Sequence, residues 1–150
     1  MFLSGGGKLS EKNWRINMDR FTEIIKIIFG SIVTAVSGFL GGMDGIMYAL
    51  IAFITIDYIT GVAAAVKQKK LSSEVGFWGI FKKVLILVLV GIANLIDRFV
   101  VGDGDMVRTA IILYYTGNEG ISLLENAASF GIPLPDKLKD ILRQLKEGSK

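Results

Sequence analysis

The stretch IMYALIAFITIDYITGVAAAV, residues 46–66, is apolar throughout except for Asp57. A helix crosses the bilayer's hydrocarbon core in about 17–25 residues, so this block reads as a membrane-crossing helix. An ionised carboxylate within such a helix costs at least ~2.5 kcal/mol on insertion scales, so Asp57 is expected to face other helices, water or a cation. A second reading puts Asp57 close enough to the cytoplasmic end to reach the interface or to pair with a Lys.

On its N-terminal side, Gly41, Gly42, Asp44 and Gly45 predict a tight turn, preceded by Ile27–Met43, seventeen residues without a charge. That block also spans if Glu23 and Lys26 snorkel at its start. Gly30, Thr34, Gly38, Gly41 and Gly45 recur at helical spacing, which offers a small-residue face for close packing of another helix. Gly61 of the second block joins Gly30, Thr34, Gly38 and Gly41 as a packing candidate, against the alternative that glycine is simply common in membrane helices. Residues 1–20 are polar and basic and read as a mobile arm that coils into a helix near Asp19. They lack the apolar core and small-residue cleavage site of a secretory signal, so the N-terminus is expected to be kept.

On the C-terminal side, Lys67, Lys69, Lys70, Lys82 and Lys83 predict a cytoplasmic basic loop, with Phe77, Trp78 and Phe81 as an interfacial anchor. Val84–Ile96, lengthened by Phe99–Val101, is the third apolar block. Asp97, Arg98, Gly102, Asp103, Gly104, Asp105 and Arg108 form a net acidic turn expected on the external face. The fourth block, Thr109–Ile132, carries Thr116, Asn118, Glu119, Ser122, Glu125, Asn126 and Ser129 on one broad polar helical face. It reads in three ways: a pore lining, an interhelical hydrogen-bond seam, or an amphipathic helix lying in the interface. Pro133 and Pro135 end it, and Leu138, Ile141, Leu142 and Leu145 give the basic tail a helical apolar period. That tail is either a surface helix or a membrane- or partner-binding one.

Fifteen of the seventeen Lys and Arg residues fall into three clusters, at 8–26, 67–83 and 137–150. Basic segments gather on the cytoplasmic side of membranes, so all three clusters and both termini are expected inside. The mean hydropathy of +0.52 and 51% hydrophobic residues fit a soluble core poorly. The expected fold is an all-α, small polytopic integral membrane protein with about four transmembrane or membrane-embedded helices, near 21–43, 46–66, 77–101 and 107–131. They make up a membrane domain at 21–132, between the arm at 1–20 and a basic C-terminal amphipathic helix within a cytoplasmic tail at 133–150. The net charge of +3 is clustered beside apolar blocks, which favours anionic lipid head groups and excludes nucleic acid as a partner.

There is no Cys and no His, which removes disulfides, thiol nucleophiles, imidazole triads and ordinary zinc sites. Gly5–Gly7 and Gly41-Gly42 follow no strand and are not nucleotide-binding loops. No catalytic residue, cofactor or metal is expected, and Glu119 and Glu125 have no nucleophile to serve. What is left is a chain that works by oligomerising, by conducting, or by modifying the membrane. Asp57, Glu119, Ser122, Glu125 and Asn126 are the candidate oligomer or pore residues.

Asp57, Thr60 and Gly61 before a basic turn, then Leu71-Ser72-Ser73, Gly76, Gly79 and Lys82-Lys83, then Glu119–Asn126 and Gly131-Ile132-Pro133-Leu134-Pro135, resemble the phage lysis and toxin-secretion holin family. The resemblance runs from about Asp57 to Leu145. It implies a phage or prophage protein of the bacterial inner membrane that forms homo-oligomers and opens lesions, through which endolysin or a toxin escapes. Alternatives are an antiholin, as regulator or as partner, and a small ion-conducting subunit. Met18 is a candidate second start, which would shed Lys8, Lys12 and Arg15 from the arm.

Overall fold

The structure is a computed structural model that describes residues 6–102 and 104–147. Asp103 and Lys150, and the side chains of Lys8, Lys12, Leu142, Arg143, Leu145 and Lys146, lie outside what is described. Among the described residues every regular element is helical: α1 (Gly6–Phe39), α2 (Gly45–Lys67), α3 (Ser73–Ile96) continued by a π-helical turn (Asp97–Val101), α4 (Met106–Ser129) and α5 (Asp136–Glu147). Among the described residues three segments are long and apolar enough to cross a membrane: Asn17–Phe39, Gly45–Lys67 and Ser73–Val101. At 24 residues, α4 rises about 36 Å, but its polar residues keep it out of that set.

The chain divides into two units, Met1–Gly38 and Phe39–Lys150. The first is the single helix α1, which starts at Gly6 and so well ahead of Asp19, where the sequence placed the first coil. No proline interrupts residues 6–26, and a helix once nucleated lengthens at little further cost. Its hydroxyls fold back on the helix: Ser31 Oγ donates to Ile27 O at 2.8 Å and Thr22 Oγ1 to Asp19 O at 2.8 Å. This is how polar side chains are satisfied where lipid offers no partner. Thr34 is exposed, and a Cβ added at Gly30 or Gly38 would meet nothing within 4 Å.

In the second unit α2 packs chiefly on α4, and α3 packs mainly against α4 and touches α2 less. The contacts fix direction. Asp44 meets Arg108 at one end and Lys67 meets Ser129 at the other, so α2 and α4 run parallel over matching lengths, with α3 antiparallel between their ends. Leu40, Met47, Leu50, Ile86, Val90 and Ile112 form the core. Two glycines let aromatic rings in: an added Cβ would sit 2.0 Å from the Phe39 ring at Gly91 and 3.3 Å from Phe53 at Gly120.

Three sequence expectations are corrected here. The first apolar helix ends at Phe39, not Met43, so Gly41 is not on a helical packing face. It sits in the turn at φ +80°, a conformation natural to glycine, and Asp44 caps α2 by accepting from Met47 N at 2.9 Å. Next, α3 starts at Ser73, not 77, because Ser72 caps it, its Oγ accepting from Val75 N at 3.2 Å. Lys82 and Lys83, grouped with the basic loop although they fall inside the expected 77–101 helix, lie on α3. Finally, Asp97 and Arg108 are not exposed turn charges, since each is only 1% exposed.

Gly41→Ala is expected to lose about 1–3 kcal/mol from backbone strain alone. Its Cβ would also come within 2.6 Å of both Arg108 Nε and Asn94 Oδ1. Unfolding by SDS in mixed micelles measures the loss, and wild-type stability would mean that the turn is not held in this form.

Candidate functional site

Polar side chains gather at two levels of the α2–α3–α4 unit. At the first, Arg108 donates from Nε to Leu40 O at 2.6 Å, from Nη1 to Asp44 Oδ2 at 2.6 Å and from Nη2 to Gly42 O at 3.1 Å. Asp97, at the end of α3, accepts from the backbone N–H groups of Arg108 at 2.8 Å and Val107 at 3.0 Å. A carboxylate thus caps the α4 N-terminus, where the helix dipole favours negative charge. Asn94 Nδ2 donates to Phe39 O at 3.0 Å, completing a knot that ties the 39–44 turn to α3 and α4. The Arg108 guanidinium beside Asp44 holds its carboxyl below the usual carboxylate range.

The second level brings together candidates that the sequence scatters. Lys83 Nζ donates to Asp57 Oδ2 at 2.6 Å and also to Glu119 Oε2. Asn126 Nδ2 donates to Asp57 Oδ1 at 3.0 Å and to Thr60 Oγ1 at 3.0 Å. Asp57 lies ten residues before the end of α2, Lys83 ten after the start of α3, and Glu119 ten before the end of α4. At 1.5 Å per residue all three sit about 15 Å from the same end of the bundle. The helices meet at one depth there, and their charges answer one another.

A cavity of about 600 Å³ adjoins this cluster. Tyr58 and Gly61 of α2, Gly76, Gly79 and Lys82 of α3, and Ser122 of α4 contribute to its wall. Gly79 lets Tyr58 in close, since an added Cβ would lie 3.4 Å from its ring. Of the predicted site residues, then, Asp57 and Asn126 are joined directly and Glu119 joins them through Lys83, and Ser122 shares their cavity. Glu125 is half-buried farther along α4. Gly61 lies beside the cluster, with an added Cβ 3.6 Å from Asn126 Nδ2. Lys67 ties α2 to the end of α4, donating to Ser129 O at 2.8 Å with the Phe130 ring 5.5 Å away. Lys69 and Lys70 stay in the turn after α2, Lys69 at φ 54°.

Of the two sequence readings of Asp57, the second included pairing with a Lys, and the structure contains such a pair, with Lys83, ten residues before the end of α2. Lys83 is the residue that sequence reasoning missed as a partner of Asp57, having been grouped with the basic loop although it falls inside the expected 77–101 helix. A signal was present: Ser72 followed by Glu74 in the first turn marks a helix start, which sets Lys83 well inside α3. Arg108 was missed as well, because it stands among the acidic residues of a turn.

A family model described as the bacteriophage holin family matches residues 34–147. A Clostridium perfringens protein, described as an uncharacterized 14.9 kDa protein in the nagH 3′ region, is 42% identical over 128 residues, 85% of this chain and 97% of that one. An uncharacterized protein of Listeria innocua is 43% identical over 109 residues, covering 72% of this chain and 77% of its own. A probable holin of Bacillus phage phi105 is 37% identical over 91 residues, covering 61% and 67%. No solved structure matches the chain.

Proposed function

The chain belongs to the bacteriophage holin family, and from that premise we propose that it is a holin: a protein that oligomerises in the bacterial cytoplasmic membrane and opens lesions. Endolysin, or in a related setting a toxin, leaves the cytoplasm through them. Members of this family are membrane proteins without enzymatic activity, in keeping with a chain that has neither Cys nor His. The observation that carries the reading is the mid-depth cluster. Asp57, Glu119 and Asn126 are satisfied inside one subunit by Lys83 and Thr60, so the chain can lie in the membrane without exposing them. When subunits crowd, the same groups exchange partners between chains, and the polar face of α4 comes to line water.

In this proposal α4 is the fourth crossing. It runs parallel to α2 from Asp44–Arg108 to Lys67–Ser129, so a bilayer spanned by α2 is spanned by its partner as well. Four crossings then keep the arm, the 67–70 turn and the tail on the cytoplasmic side, where basic residues favour anionic head groups. The domain division follows: arm 1–20, membrane domain 21–132, tail 133–150. Gly30, Thr34, Gly38 and Gly61 are the proposed sites of close approach between helices in the oligomer.

Inducing the chain alone in bacteria is expected to end growth and collapse the membrane potential. Adding a cytoplasmic endolysin is expected to produce lysis. Survival on induction alone would mark an antiholin, and ion leakage without endolysin escape a small channel. Within the holin reading, Glu119→Gln exchanges a charge-assisted hydrogen bond for a neutral one, a difference of about 1–2 kcal/mol. The closed subunit is loosened, so lysis is expected earlier at equal protein level. If both Glu119→Gln and Glu125→Gln kept wild-type timing, the polar face of α4 would not be the moving part.

A further inference from the structure

Two carboxylates and one ammonium meet in the cluster, so with every group ionised it is one negative charge over. Of the groups around it only Lys82 carries positive charge, and no ion pair joins it to either carboxylate among the described residues. From α2 the cavity is faced by Tyr58 and from α4 by Tyr115, Asn118 and Ser122, none of which is a basic side chain. From α3 it is faced by Lys82, which is exposed and forms no ion pair among the described residues. Glu125, farther along α4, adds negative charge and not positive. Asn126 and Thr60 supply hydrogen bonds without charge. Among the described residues Lys83 alone forms an ion pair with Asp57 or Glu119.

The depth of the cluster gives this imbalance its weight. About 15 Å from the helix ends is half the thickness of a hydrocarbon core of about 30 Å. Uncompensated charge is least tolerated there, and two carboxylates sharing one site do not both ionise freely. We propose that Asp57, Lys83 and Glu119 form a proton-binding site, in which one proton is held between the two carboxylates while α2, α3 and α4 stay packed. The cluster is then neutral: one carboxylate, one carboxylic acid and one ammonium. The inference rests on the reading of α4 as a crossing helix.

The cavity gives water access to the cluster: it reaches Leu71 toward the α2–α3 turn and Leu89 and Tyr115 on the other side. Separating the helices hydrates the carboxylates and releases the proton, so opening is coupled to proton loss.

Infrared spectroscopy of the full chain in lipid nanodiscs tests this through the carbonyl stretch of a protonated carboxylic acid. At neutral pH the wild type is expected to show one such group per chain. Asp57→Asn and Glu119→Gln are each expected to abolish it, because the remaining carboxylate and Lys83 already balance. Asp140→Asn, on α5, is expected to leave it unchanged. A folded wild type with no protonated carboxyl would overturn the proposal. So would a band that survives in both variants, or that is lost in only one of them. None of those results bears on whether the protein lyses cells, which the induction experiment reads separately.

Discussion

Arg108→Ala is expected to leave almost no folded subunit. Arg108 is 1% exposed and donates to Asp44 and to the Leu40 and Gly42 carbonyls, neither of which has another donor in the contacts described. The Asp44 side chain is 44% exposed, so the ion pair itself is worth about 1 kcal/mol at most. The larger cost is the Leu40 and Gly42 carbonyls left without a donor, about 1–3 kcal/mol each where buried. Against a usual stability of about 5–15 kcal/mol, the loss reaches a large fraction of the whole. It falls on the turn that joins the first crossing to α2 and on the start of α4 together. The protein is expected to be degraded before it accumulates, and no lysis follows induction. Quantifying membrane-bound protein by immunoblot checks this, and normal accumulation with normal lysis timing would show that the knot does not hold the fold. Arg108→Lys tests geometry: an ammonium cannot reproduce the fork that serves Leu40, Gly42 and Asp44, so only partial recovery is expected.

Lys83→Met is expected to act differently, on timing more than on accumulation. The knot at the other end still holds α3 through Asp97 and Asn94. At mid-depth, however, α3 loses its link to Asp57 and Glu119, about 3–5 kcal/mol for a buried pair broken on one side. The closed arrangement is weakened where the helices are proposed to separate, and lysis is expected well before the wild type at matched protein level. A triple variant, Lys83→Met with Asp57→Asn and Glu119→Gln, removes all three charges. It is expected to recover most of the delay, because replacing a whole buried ion cluster by neutral groups is close to neutral in stability. Lysis curves of the single and triple variants decide this. Equal timing in wild type and Lys83→Met would show that the cluster does not restrain opening.

Much of this was legible along the chain. The apolar blocks ending at Lys67 and beginning after Lys83 correspond to α2 and α3, and Asp57, Glu119 and Asn126 were candidates for a shared polar role before any contact was known. Glu119 was marked because a carboxylate in an apolar helix has few permitted environments. Lys83 was not marked as a partner for Asp57, because a lysine beside aromatic residues looks like an interfacial anchor. Asp97 and Arg108 were read as solvent charges for a similar reason, since acidic residues and glycines around them describe an exposed turn.

By itself the sequence determined that the chain is helical, that it has segments fit to cross a bilayer, and that its chemistry is not catalytic. Those properties are sums over neighbouring residues: hydropathy within one helix, and the presence or absence of residue types. Only the tertiary structure decided which charges meet. Lys83 is 26 residues from Asp57 and 36 from Glu119, and Arg108 is 64 from Asp44. Partners at such separations are chosen by the parallel packing of α2 on α4, with α3 returning beside them, and not by local periodicity. In a low-dielectric bundle each buried charge must find its counterion. That requirement turns three separate polar residues into one cluster at a single depth.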